Sequence, residues 1–137
     1  MKRPSTKTLK NKLDLKFSAM IRARDAELPC ISCGKFKVLQ AGHFVVRKLL
    51  PTRWHPWNVN GECAGCNGFD AMHLLSYYKE LERRYEPGTG EMLLKLSRVT
   101  WKVMPDQLER LILACGDPKD YESEWFAVQA EFSKTDS

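Results

Sequence analysis

From Thr6 to Ala26 apolar residues recur every three or four positions, at Leu9, Leu13, Phe17, Met20 and Ile21. That period predicts an amphipathic helix, and the lysines and arginines between give it a basic outer face. Leu28-Pro29 ends it. Phe36 to Lys48 is rich in Val, Leu and Phe and is interrupted by Gly42, which predicts a β-hairpin. Pro51 and Pro56 frame an irregular loop carrying Trp54, His55 and Trp57. A second helix is expected from about Cys66 to Tyr85, with Leu74, Tyr78, Leu81 and Tyr85 on one stripe. Glu86-Pro87-Gly88-Thr89-Gly90 reads as a turn. Helices are expected over 91–103 and 106–115. Asp117 has the form of an N-cap, with Pro118 in the first turn of a last helix striped by Tyr121, Trp125, Val128 and Phe132. Residues 1–5 and 134–137 read as frayed ends.

At 137 residues the chain fits a single α+β domain. Its expected parts are a basic N-terminal helix over 1–27, a core over 28–86 and a helical extension over 87–137. Composition is ordinary for a globular protein, 43% hydrophobic and 28% charged. No apolar run approaches a membrane span, and Met1-Lys2-Arg3-Pro4 lacks the apolar stretch of a signal peptide. The expected compartment is the cytoplasm, with no membrane partner. The net charge of +5 is unevenly spread. Residues 1–24 carry eight Lys/Arg against Asp14 alone, and 35–53 adds five more with no acid, whereas from Trp101 onward four basic residues face eight acidic ones. One basic face suggests a polyanion, DNA being the natural candidate; a solvated helix face would show the same charges.

Two cysteine pairs change the picture most: Cys30-Ile31-Ser32-Cys33 and Cys63-Ala64-Gly65-Cys66, separated by 29 residues. Each CxxC places two thiolates on one tight turn, and two such knuckles complete a tetrahedral Zn²⁺ sphere. A reducing cytoplasm favours metal over the alternative of disulfides. Four sulfurs leave no open position, so this zinc is expected to be structural. Cys115 has no partner at knuckle spacing and reads as a small buried hydrophobe.

Between the knuckles lie Gln40-Ala41-Gly42-His43-Phe44, then Arg47, then Asn58, and the second pair runs on as Glu62-Cys63-Ala64-Gly65-Cys66-Asn67. This pattern resembles the NinG/Rap-like phage recombination endonucleases of the HNH (ββα-metal, treble-clef) superfamily, over roughly residues 30–85. The resemblance implies a zinc-stabilised ββα-metal core with flanking helices. It implies a metal-dependent endonuclease that hydrolyses phosphodiester bonds of branched or single-stranded recombination intermediates in the host cytoplasm. His43 would be the general base, Asn58 would fix the loop and orient the imidazole, and Asn67 would help hold a catalytic Mg²⁺ or other divalent cation. Recombination proteins would be partners, and cutting both strands of a junction would favour a homodimer.

Two positions depart from the usual pattern. Gly42 stands where an Asp ligand often precedes the strand histidine, and Asp70 stands where many members have Lys. Asp70 and His73 follow Asn67 at helical spacing and are candidate cation ligands, with a first-turn acid and a surface histidine as the plain alternatives. Arg47, Lys48 and Arg53 are candidate DNA contacts, or surface charges. Lys79 to Arg84 alternates with Glu80 and Glu82 and reads better as a solvated face. Trp54 and Trp57 could stack on bases but are expected to plug a small core, and His55 beside them to pack. The rival from another class is a treble-clef zinc module that binds DNA or a protein without cleaving anything.

Overall fold

The computed structural model describes residues 3–69 and 73–133. In chain order the elements are α1 (Thr6–Arg24), β1 (Leu39–His43), α2 (Leu50–Arg53), β2 (Val59–Cys63), α3 (Ala64–Phe69), α4 (His73–Arg84), α5 (Thr89–Leu96), α6 (Pro105–Ala114) and α7 (Pro118–Ser133). The fold is α+β, a two-stranded sheet wrapped by helices. No helix among the described residues is long and apolar enough to cross a membrane.

Helix α1 begins where the Ser5 hydroxyl accepts the Thr8 N–H at 3.1 Å. It buries Leu9, Leu13, Phe17, Met20 and Ile21, the expected stripe. Residues 3–5 are tied down rather than frayed, because Ser5 caps α1 and Arg3 pairs with Glu109 at 2.9 Å; 1–2 and 134–137 lie outside the described residues. Helix α7 starts as expected: Asp117 Oδ1 accepts the Lys119 and Asp120 N–H groups at 2.8 and 3.2 Å. Its Tyr121, Trp125, Val128 and Phe132 are buried. These faces meet α6 and the Trp54 and Trp101 rings in one aromatic core. Trp101 stacks on Phe132 with centroids 4.5 Å apart, and Trp125 meets Trp101 edge-on at 5.8 Å.

The strand reading needs correction. Gly42 lies inside β1, and the partner of β1 is distant in sequence: Leu39 pairs with Cys63 and His43 with Val59 in an antiparallel ladder. The Phe36–Lys48 hairpin does not form. After His43 the chain leaves the sheet because the Asn58 side chain imitates a strand partner. Its Oδ1 accepts the Val45 N–H at 2.8 Å and its Nδ2 donates to the Val45 carbonyl at 3.1 Å. Strand β2 escaped notice because all five of its residues are buried, so it shows no alternation.

Three helical readings also shift. The expected Cys66–Tyr85 helix is represented by α3 and α4, with 70–72 outside the described residues. Its inward face carries Tyr77 and Leu81, while Leu74 is 46% exposed. The helix expected over 91–103 stops at Leu96. Beyond it, Trp101 is drawn into the aromatic core and donates to Gln107 Oε1 at 3.0 Å, the same oxygen that accepts the Met104 N–H. The loop after Pro51 contains the short α2, and Trp54 is fully buried, the expected core plug.

Candidate functional site

The sheet and α3 bring the two knuckles together. Ile31 N–H bonds the Gly61 carbonyl at 3.0 Å, which docks the first knuckle on β2. The chain turns after Cys33 through Gly34, whose φ of +74° is a conformation that favours glycine. The sulfurs of Cys30, Cys33, Cys63 and Cys66 lie within 4.8 Å of one another. A zinc ion with Zn–S bonds of about 2.3 Å can sit in such a cluster. The Cys33 and Cys63 sulfurs are 3.9 Å apart, and all five cysteines are free. Cys30 Sγ accepts the Cys33 and Cys63 N–H groups at 3.5 and 3.3 Å, the second-sphere pattern that supports thiolates. The Cys66 N–H draws the Cys63 thiol down to about 7, while burial pushes Cys30 and Cys66 up. Four crowded thiols cannot all ionise without a cation between them.

Beside this cluster opens a cleft of about 480 Å³, walled by Asp14, Phe17 and Ser18 of α1, by His43, Arg47 and Arg53, and by Asn67. His43 and Asn67 therefore face the same cavity. The His43 Nε2 lies 3.0 Å from the Arg53 carbonyl. A carbonyl oxygen only accepts, so that nitrogen carries the proton and Nδ1 keeps its lone pair. Burial, reinforced by the Arg47 charge, holds the ring below the ordinary imidazole value of 6.5 despite that carbonyl. The imidazole is neutral at pH 7.

Asn58 is fully buried and does not reach the cleft. Besides gripping Val45, it donates to the Thr52 carbonyl at 3.0 Å, one residue before the carbonyl that holds His43. It thus fixes both ends of the loop from 44 to 53. Tyr77 reaches in from α4 and donates to the Gly42 carbonyl at 2.6 Å, holding the strand beneath the site.

The predicted cationic track is differently arranged. Asp14 of α1 takes both arginines: it accepts from Arg47 at 2.6 Å and forms a short ion pair with Arg53, and it also accepts the Trp54 indole N–H at 2.9 Å. Burial alone would raise the Asp14 carboxyl, but the two guanidiniums hold it below its ordinary value. Lys48 is exposed, with Lys7, Lys12, Lys16 and Arg22 on α1. Arg24 does not share that outer face. It turns inward to Asp25, to the Pro56 and Val59 carbonyls and to Asn60. His55 is fully buried among Trp57, Trp125 and Phe126, which lowers its pKa to about 3 and removes it from any phosphate. Trp57 stacks on Tyr85 with centroids 5.2 Å apart and has no free face to offer on that side. Cys115 packs against the aromatic core, and burial raises its thiol to about 11.

Asp70 lies outside the described residues. His73 does not project freely from its helix: its Nδ1 meets Glu62 Oε2 at 2.6 Å. Glu62 carried no assigned role in the sequence reading. It is fully buried on β2, and its Oε2 also takes the Ser32 hydroxyl in a very short bond. Its signal was available, since it is the sole acid between Glu27 and Asp70. What could not be seen was the direction in which it points.

A two-stranded sheet with four clustered cysteines at its Cys63 end, and a cleft shared by a neutral histidine and a helix-borne asparagine, define a mixed α+β protein with a candidate metal centre. The family model of the bacteriophage lambda NinG protein matches residues 2–116, and the chain belongs to that family. It is 39% identical over 90 residues to protein ninG of Escherichia phage lambda, covering 63% of this chain and 44% of that protein. Against protein ninG of Escherichia phage 933W the identity is 34% over 90 residues, covering 63% and 45%. Against protein ninG of Salmonella phage P22 it is 38% over 63 residues, covering 44% and 31%. The chain spans less than half the length of these curated relatives. No solved structure matches it. The family match reaches beyond residues 30–85 and takes in α1, α5 and α6.

Proposed function

We propose that this chain is a metal-dependent DNA endonuclease of the HNH type, with β1, β2 and the helix after them as its ββα-metal core. The observation that carries this reading is the shared cleft: His43 and Asn67 face one cavity whose imidazole is neutral and has a fixed tautomer. The cysteine cluster holds a structural zinc and keeps the knuckles, and so the strand and α3, in register. Within the cleft, His43 Nδ1 takes a proton from a water aligned on the scissile phosphorus; as the water oxygen bonds to phosphorus the P–O3′ bond breaks and the leaving oxygen takes a proton from solvent, while the Arg53 carbonyl keeps the ring from turning. Asn58 acts at one remove, by fixing the loop that supplies that carbonyl. A divalent cation, Mg²⁺ or a relative, supplies charge neutralisation at the phosphate. Asn67 is the residue on α3 placed to help hold it. The exposed lysines of α1 and Lys48 collect the DNA backbone, and Arg47 exchanges Asp14 for phosphate. Family membership favours branched or single-stranded recombination intermediates as substrate, in the cytoplasm of an infected host, with recombination proteins as partners and a homodimer where two strands are cut.

A second reading is a zinc module that binds DNA or protein without cutting. It is favoured by Asp14, which occupies both cleft arginines and adds a carboxylate where a phosphate would enter. The two readings part at His43, for which a binding module has no use. Zinc-loaded wild type and His43→Ala are incubated with branched, single-stranded and duplex DNA in Mg²⁺ or Mn²⁺. The nuclease reading expects nicking by the wild type and a loss of about 10²–10⁴-fold in the variant, with DNA affinity kept. Equal behaviour of the two proteins eliminates it.

A further inference from the structure

We propose that Glu62 is the carboxylate ligand of the cleft's divalent cation, with Asn67 Oδ1 as its second protein donor and His73 as the residue that aims it. Three observations converge on this site. The first is an orphaned atom: Glu62 is fully buried, yet its Oε1 has no hydrogen-bond partner. The other oxygen takes both His73 and Ser32, so the donors crowd one side of the carboxylate. A carboxyl group has two acceptor oxygens, and one of them here faces no donor. Such an atom is costly unless a cation or a donor meets it.

The second is the glycine beneath. Gly42 does not lie in the left-handed region, so its backbone does not require glycine. Space does. A Cβ at position 42 would fall on Glu62 Oε1, 2.8 Å from Glu62 Cβ and 3.1 Å from Asn67 Oδ1. The carboxylate of Glu62 thus occupies the place into which a side chain at position 42 would project. Register explains how. Gly42 pairs with Asn60 and Gln40 with Glu62, so Glu62 is the diagonal neighbour of Gly42 on the same sheet face. Strand β2 supplies the acid that the residue before His43 lacks.

The third is Asn67. Its Nδ2 donates to Gln40 Oε1 at 2.8 Å, which turns Oδ1 toward Gly42 and Glu62. Two hard oxygens then converge, and the second belongs to a residue that lines the cleft with His43. One carboxylate, one neutral oxygen, waters and a substrate phosphate make a common coordination set for Mg²⁺ or Mn²⁺. His73 grips the non-ligating oxygen, as outer-sphere histidines and carboxylates do. The ligand set stands on this geometry; the part the cation plays in cleavage rests on the nuclease reading above.

The test uses the zinc-loaded full chain and Mn²⁺ alone as the probe, without DNA. In ¹⁵N-labelled protein, Mn²⁺ is expected to broaden the Gly42 and Asn67 amide signals selectively. Glu62→Gln, which keeps the shape, should raise the Mn²⁺ concentration needed by at least about tenfold, and Asn67→Ala should raise it to a similar degree. Zinc content and circular dichroism report whether Glu62→Gln still folds; if it does not, the exposed Asn67→Ala decides. Broadening that is absent in the wild type, or unchanged in the folded variants, overturns the proposal. His43→Ala should bind Mn²⁺ like the wild type. If Mn²⁺ binds through Glu62 while wild type and His43→Ala treat DNA alike, the nuclease reading falls and the site stands.

Discussion

In the layer formed by α1, α6 and α7, the buried positions are Leu, Ile, Val, Met, Phe, Tyr and Trp apart from Gln107, and the apolar ones interlock around Trp125. In the sheet a few residues away, β2 buries Val59, Asn60, Gly61, Glu62 and Cys63, one apolar side chain of any size among five. The first region is held by apolar area and ring packing. The second is held by directed bonds: Asn58 on Val45, Asn60 on Arg24 and the Trp57 carbonyl, Asp25 on the Gly61 N–H, and the cysteine cluster. Apolar packing tolerates small errors, whereas a buried polar network fails when one member is removed. The proposed site, which would hold an imidazole, an amide and a carboxylate in fixed relation, would gain from the second kind, with the helical layer as a rigid wall for it.

The contrast can be broken most severely at the cysteines. Cys66→Ser, or chelation of the metal, should abolish the folded centre, because structural zinc contributes about 10–16 kcal/mol in small zinc domains. The check is metal content beside amide chemical shifts. Signals from residues 30–67 should collapse while α6 and α7 retain helical signals, and a chelated protein with an unchanged spectrum would show that the sheet stands without metal. In the helical layer the matching experiment is Trp125→Ala. It should cost about 3–5 kcal/mol by urea titration and leave zinc content intact.

Asn58→Ala sharpens the comparison, since it removes no apolar area yet strands the Val45 N–H and carbonyl and leaves the Thr52 carbonyl with backbone N–H donors such as that of His55. A cost of about 3 kcal/mol is expected. The His43 ring resonances should also move, because the loop carrying the Arg53 carbonyl is released. Unchanged His43 shifts would separate Asn58 from the site.

The smallest effect is a pH dependence that arises in the helical layer. His55 has a folded pKa of about 3 against an ordinary 6.5. Between those values the unfolded chain binds the proton and the folded chain does not. Stability from this group is complete above 6.5 and falls as pH drops, by at most about 1.4 kcal/mol per pH unit. Urea titrations at pH 7 and 5.5 should show the loss, and His55→Gln should flatten it. A pH profile identical in the two proteins would mean that His55 is not held neutral.

The same contrast explains how much of the molecule could be read in advance. The α1 and α7 stripes were legible residue by residue, because helical periodicity records which face is covered. The knuckles were legible because thiolate pairs need a fixed short spacing. Strand β2 was invisible, since a segment buried on both faces and built from Asn, Gly, Glu and Cys matches no periodic template. The false hairpin came from Val and Phe at positions that the structure leaves exposed, Phe36 at 76% and Val38 at 92%. The tie of Arg47 and Arg53 to Asp14, 33 and 39 residues away, has no local signature.

Sequence alone determined the α1 and α7 stripes, the four-sulfur cluster and the order of His43, Asn58 and Asn67, because each depends on spacing along the chain. Tertiary structure alone decided which carbonyl fixes the imidazole, which acid occupies the arginines, and that Glu62 fills the space above Gly42. Those outcomes depend on the register of two strands brought together from opposite ends of a long loop, and register is set only when the whole core closes around it.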